Sequence, residues 1–139
     1  MSVTLKERIY EFYRTFSAGD LDTLADMFDE RVDFISNAPI EVFPYLGHRT
    51  SRTQVMQALN IVHEQFASIE FIPLKIIIDD QSAGIIVSIR LTQRETGRLI
   101  RLFSAHFLRF KDNRIVEYRA LLDTLEAVEQ TLGREFDLS

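Results

Sequence analysis

The sequence predicts an α+β domain with helices laid on one face of an antiparallel sheet. Three features point there. Helix starts carry capping residues, long alternating strands follow one another across short turns, and most helices precede most strands in the chain. The length of 139 residues suits a single domain spanning 1–139.

Thr4 and Glu7 stand at capping-box spacing, and Leu5, Ile9, Phe12 and Phe16 follow at helical intervals. Gly19 stops that helix, and Asp20 caps a short second one bearing Leu21, Leu24 and Phe28. A short strand runs from Arg31 to Ser36. Ser51 and Gln54 open a third helix with Val55, Leu59, Val62 and Phe66 on one side. Residues 69–79 read as a long strand, with Pro73 marking an edge or a bulge. Residues 83–94 turn at Glu95-Thr96-Gly97 into 98–110, and Lys111-Asp112-Asn113 leads into a last strand, 114–122. Asp123 and Glu126 then cap a terminal helix carrying Leu125, Val128 and Leu132, with Gly133 as its stop.

Period-two alternation sorts the strand faces. Ile85, Val87, Ile89 and Leu91 share one side, as do Ile100, Leu102, Ser104, His106, Leu108 and Phe110. The opposite side of 98–110 is also apolar at its middle, through Phe103, Ala105 and Phe107. With no further helix to cover it, a second copy of the chain is the expected cover, extended on the neighbouring strand by Ile69, Phe71 and Ile77.

Composition excludes several function classes. A net charge of -5 repels phosphate backbones, so no nucleic-acid partner is expected. The absence of cysteine removes disulfides and thiolate chemistry. The three histidines (His48, His63 and His106) lack metal-ligand spacing, and no cofactor motif is present, so neither metal nor cofactor is expected. The N-terminal MSVTLKERIYEF is amphipathic and charged, and no later run reaches membrane-spanning length. The expectation is a cytoplasmic protein without a membrane partner. Eleven Phe and four Tyr suit the lining of a cavity as well as a core.

The run SAGDLDTLADMFDERVDF (17–34), the loop FPYLGH (43–48) and RFKDNRIVEYRALLD (109–123) resemble the SnoaL-like and ketosteroid-isomerase-like branch of the nuclear-transport-factor-2 (NTF2)-like superfamily. That resemblance covers nearly the whole chain and implies a cone-shaped domain, helices on a curved sheet enclosing an apolar pocket. It specifies chemistry poorly, because the fold hosts isomerases, cyclases, dehydratases, epoxide hydrolases and non-enzymatic binders. Carried over from the steroid isomerases, the helical tyrosine falls at Phe12, the proton-shuttling base at Ser36 and the strand carboxylic acid at His106. A phenyl ring donates no hydrogen bond and a serine hydroxyl is too weak a base, so ketosteroid isomerisation is not expected. Against the epoxide hydrolases of this fold, Asn37 matches but the last-strand carboxylate falls at Ala120.

His106 is the leading catalytic candidate, because parity places it on the pocket face. Burial there leaves the imidazole neutral, fit to act as a general base or to polarise a carbonyl. The plainer alternative is a core histidine satisfied by Ser104 or backbone, whose removal would strand that partner. Ser36 and Asn37 end the first strand at the pocket and are candidate ligand contacts; turn chemistry before Pro39 explains them equally well. Tyr118, Phe12, Phe16, Val87 and Ile89 complete the candidate lining, with Tyr13, Phe43 and Tyr45 as further aromatics. Asp33, Arg90, Glu117 and Arg119 read as outer-face charges, and His48 and His63 as loop and helix-surface residues. The function expected is binding of a small, largely apolar molecule, with proton transfer or water addition and elimination as candidate reactions. A non-catalytic dimeric module with a filled cavity is the other reading.

Overall fold

The computed structural model describes residues 4–38, 43–44 and 46–133. Its helices start where the capping residues stand. Helix α1 (Leu5–Ala18) has the full Thr4–Glu7 capping box and ends on Gly19 at a positive φ of 73°. Asp20 caps α2 (Leu21–Ala25), Ser51 caps α3 (Arg52–Gln65) and Asp123 caps α4 (Thr124–Leu132). Tyr45, an expected lining residue, and Pro39 lie outside the described residues. Among the described residues, no helix is long and apolar enough to cross a membrane.

Six strands form one curved, unclosed sheet: β1 (Phe28–Ser36), β2 (His48–Arg49), β3 (Phe66–Asp79), β4 (Ser82–Gln93), β5 (Leu99–Lys111) and β6 (Arg114–Leu122), in the order β2-β1-β6-β5-β4-β3. The meander β3-β4-β5-β6 is antiparallel, as the alternating runs and tight turns require. Asp112 and Asn113 hold φ of 52° and 63°, the backbone of a two-residue turn matched to strand twist. The sheet departs from a purely antiparallel one at β1, which pairs parallel to β6. Local pattern carries no record of that pair, because its strands meet only across the whole chain.

The inner sheet face and the helices bury one core. Ile9, Phe12, Tyr13 and Phe16 are its contribution from α1, and Val55, Ala58, Leu59 and Val62 that from α3. Both ring nitrogens of His63 lie 2.9 Å from carbonyl oxygens, those of Leu59 and Phe16, so this residue ties the ends of α1 and α3 together instead of lying idle on the surface. Helix α4 buries Ala127 and leaves Leu125 and Leu132 exposed, a different rotation from the expected Leu125–Val128–Leu132 ridge. Its rotation is set by Gln130, which accepts from the Arg101 amide at 2.7 Å and donates to the Arg101 carbonyl at 2.9 Å.

The outer sheet face is the second departure. Phe103 is 66% exposed, and Phe107, Ile77, Ile86 and Leu121 are exposed beside it. Ile69 and Phe71, however, face inward, so they cannot extend this strip. The pairing of β3 with β4 shifts register between Pro73 and Lys75, and an inserted residue reverses parity. Side chains before the bulge and after it therefore exchange faces: Ile77 is outward as expected, and before the bulge Ile72 takes the outer face in place of Ile69 and Phe71.

Candidate functional site

Helix α1 carries its apolar stripe at i, i+3, i+4 and i+7, and Tyr13 is the one stripe residue with a hydroxyl. A phenol buried in such a stripe needs a partner. It finds one on the sheet: Tyr13 Oη lies 2.7 Å from Nδ1 of His106, 93 residues away, with the two rings stacked at 5.7 Å. His106 reaches this position because β5 alternates buried and exposed along its whole length. It sits between Ile85 of β4 and Ala120 of β6 in the register.

Tyr118 enters from β6, with its hydroxyl 3.4 Å from Nδ1 and 3.5 Å from Nε2 of His106. Phe34 of β1 stacks on the Tyr118 ring at 4.8 Å. On the other side Phe71 lies 6.2 Å from the imidazole and packs on Phe16. The polar trio thus stands inside an aromatic shell. Desolvation by this shell pushes the His106 imidazolium down to about 3, so the ring is neutral at physiological pH. Burial likewise pushes both phenols up, Tyr13 with a smaller contribution from its neighbour Tyr118.

His106 and Tyr118 face a cavity of about 110 Å³ between the sheet and the helices. Among the described residues, its walls are otherwise apolar except for the two serines, Ser36 and Ser104, and include no Lys, Arg, Asp or Glu. Ser104 Oγ donates to the Leu121 carbonyl at 3.2 Å, and Ser36 Oγ accepts from the Ala38 amide at 3.3 Å. A wider cleft of about 690 Å³ opens at the rim, and Phe43 and Phe66 belong to both walls. Among the described residues, no group of three His, Cys, Asp or Glu side chains is placed to hold a metal ion.

Of the residues singled out from the sequence, His106, Tyr118, Ser36, Phe16 and Ile89 come together on this cavity. Phe12 and Val87 are fully buried in the core behind its wall. Asn37 lies outside it and clasps β6, its amide donating to the Leu122 carbonyl at 3.2 Å and accepting from the Leu122 N–H at 2.9 Å. The partner of His106 is Tyr13, where the plainer reading of the sequence named Ser104 or backbone. Alignment on the A-G-D run lands on Phe12, one residue short of the phenol that turns to the sheet. The sequence signal that identifies Tyr13 is its hydroxyl within the buried stripe.

Outside the cavity a second polar chain crosses the sheet edge. Asp33 meets Nε2 of His48 at 2.6 Å and the Arg119 guanidinium at 2.8 Å, and Arg119 also donates to the Asp33 carbonyl at 2.8 Å. Asp33 and Arg119, read from the sequence as outer-face charges, are paired here, with His48 as an added member. The hydrogen bond from His48, and then those from Arg119, hold the Asp33 carboxyl below its ordinary value.

The family model for the SnoaL-like domain matches residues 9–118. Among solved structures, a candidate isomerase from Rhodopseudomonas palustris is similar with a TM-score of 0.85 and 27% identity, over 96% of this chain and 100% of that one. An NTF2-like protein of unknown function from Burkholderia pseudomallei has a TM-score of 0.83 and 19% identity, over 94% of this chain and 98% of its own. IdmH, a candidate polyketide cyclase from Streptomyces antibioticus, has a TM-score of 0.78 and 20% identity, over 94% and 99%. The last two likenesses concern the fold alone. No curated protein matches the chain significantly.

Proposed function

The chain belongs to the SnoaL-like domain family, and from that premise we propose that it binds a small, largely apolar molecule in the cavity and polarises that molecule's polar atom with His106 and Tyr118. The observation that carries this reading is the single polar end of an otherwise apolar cavity. Enclosed apolar cavities of about 150 Å³ take up benzene in other proteins. A cavity of about 110 Å³ therefore suits one ring or a short branched chain. The neutral hydrogen-bonding side chains of His106 and Tyr118 serve proton transfer, or the addition and elimination of water, better than nucleophilic attack. The candidate isomerase and candidate cyclase among the similar structures are in keeping with such chemistry.

A thermal-shift screen over small apolar ketones, acids and lactones tests the reading. Compounds of one-ring size raise the melting temperature of the wild type, and Ala120→Leu, which fills the cavity wall, removes the effect. A wild type that responds to no compound in the panel overturns the proposal. Mass spectrometry on the bound compound then divides enzyme from binder, since a ligand returned unchanged marks a binding protein.

We further propose that the outer sheet face is covered by a second copy of the chain. Phe103, Phe107, Ile77, Ile86 and Leu121 form the apolar patch that supports it.

A further inference from the structure

We infer that Tyr13 is a positioning residue that locks His106 in the tautomer with its proton on Nε2, so that the polar end of the cavity presents donors and selects neutral carbonyl compounds. The first half concerns the free protein. The second half rests on the binding function proposed above.

Counting hydrogens assigns the tautomer. The Tyr13 hydroxyl has one partner among the described residues, Nδ1 of His106 at 2.7 Å. A neutral imidazole has one N–H and one bare nitrogen. If Nδ1 carried the proton, it would donate to the Tyr13 oxygen and leave the phenol's own hydrogen without an acceptor inside the core. A buried donor left unpaired is costly. With Nδ1 bare, Tyr13 donates to it, and the hydrogen left over is the imidazole's own on Nε2, on a ring that borders the cavity where Tyr13 does not.

Tyr118 then has a spare hydrogen. The lone pair of Nδ1 is already taken by Tyr13, and Nε2 carries a hydrogen, so neither nitrogen accepts from the Tyr118 hydroxyl. Its oxygen stands 3.5 Å from Nε2, at the limit for accepting that N–H. Ser104 spends its hydrogen on the Leu121 carbonyl, whereas Ser36 accepts from the Ala38 amide and keeps its own. The hydrogens on Nε2 and Tyr118 Oη, with that of Ser36, therefore call for an oxygen from the cavity. A ketone, aldehyde or lactone brings acceptors only. A carboxylate brings a charge that no cation among the described residues of the cavity wall balances, and an amine brings donors that meet donors.

Two measurements on the full-length protein decide the inference. A long-range proton–nitrogen correlation spectrum with labelled histidine reads the tautomer of His106 directly. The expected pattern is a bare Nδ1 and a protonated Nε2 in the wild type, collapsing toward a mixture in Tyr13→Phe. A protonated Nδ1 in the wild type overturns the lock, whether or not the variant folds. Binding is then compared for cyclohexanone, methylcyclohexane and cyclohexanecarboxylate. Cyclohexanone is expected to bind more tightly than the other two, and Tyr118→Phe to weaken it about tenfold while leaving methylcyclohexane unchanged. Carboxylate binding equal to that of the ketone, or a ketone indifferent to Tyr118→Phe, overturns the selectivity. Failure of all three rings to bind overturns the selectivity and the binding function together, and leaves the tautomer to the spectrum.

Discussion

Tyr13 Oη on α1 and Nδ1 of His106 on β5 stand 2.7 Å apart with their rings nearly parallel, a buried polar link between the first helix and the sheet wall of the cavity. The pair holds the fold whatever the cavity binds. His106→Phe strands the Tyr13 hydroxyl, and Tyr13→Phe removes the donor to Nδ1, so each single substitution should lower stability by about 1–3 kcal/mol. The double substitution should cost less than the sum, because no half-satisfied partner is left behind. Urea midpoints of the four proteins measure the coupling, and strict additivity contradicts it.

The burial of His106 makes stability depend on pH. The imidazolium is depressed from 6.5 to about 3 in the fold. Between those values the unfolded chain takes up a proton that the folded chain refuses, so stability rises with pH across the window and is lost on acidification. The slope from this one group is up to about 1.4 kcal/mol per pH unit. Melting curves collected from pH 7 down to 4 should show a shallower decline in the Tyr13→Phe/His106→Phe double variant than in the wild type. Parallel declines would mean that His106 charges readily in the folded state.

Phe103→Asp places a charge in the exposed apolar patch and should convert a dimer to a monomer without lowering monomer stability. Sedimentation velocity at micromolar concentration measures this. A wild type that sediments as a monomer removes the proposed second copy.

The Asp33 carboxyl owes its depressed value first to the His48 hydrogen bond and then to Arg119. Both His48→Ala and Arg119→Ala should raise it, readable in a carboxyl carbon titration. A depressed carboxylate stabilises the fold above its ordinary value and loses that contribution as pH falls through the folded one. Because these side chains are 28–57% exposed, each loss of stability should stay within about 1 kcal/mol at neutral pH. An unmoved Asp33 in both variants contradicts the pairing.

The sequence by itself determined what depends on neighbours along the chain. Thr4, Asp20, Ser51 and Asp123 cap helices because a cap is satisfied within three residues. The side of β5 that carries His106 follows from alternation alone, since a pleated strand has period two. The motifs shared with the SnoaL-like family were legible for the same reason, being short runs that build turns and caps. Only the tertiary structure decided three things. The bulge between Pro73 and Lys75 reversed the faces of β3, because one inserted residue inverts every side chain after it. The parallel pairing of β1 with β6 joined segments that no local pattern links. The partner of His106 was Tyr13 and not the near-neighbour Ser104, because a buried imidazole bonds to whatever donor the packing of α1 on the sheet delivers, and that helix lies 93 residues away in the chain.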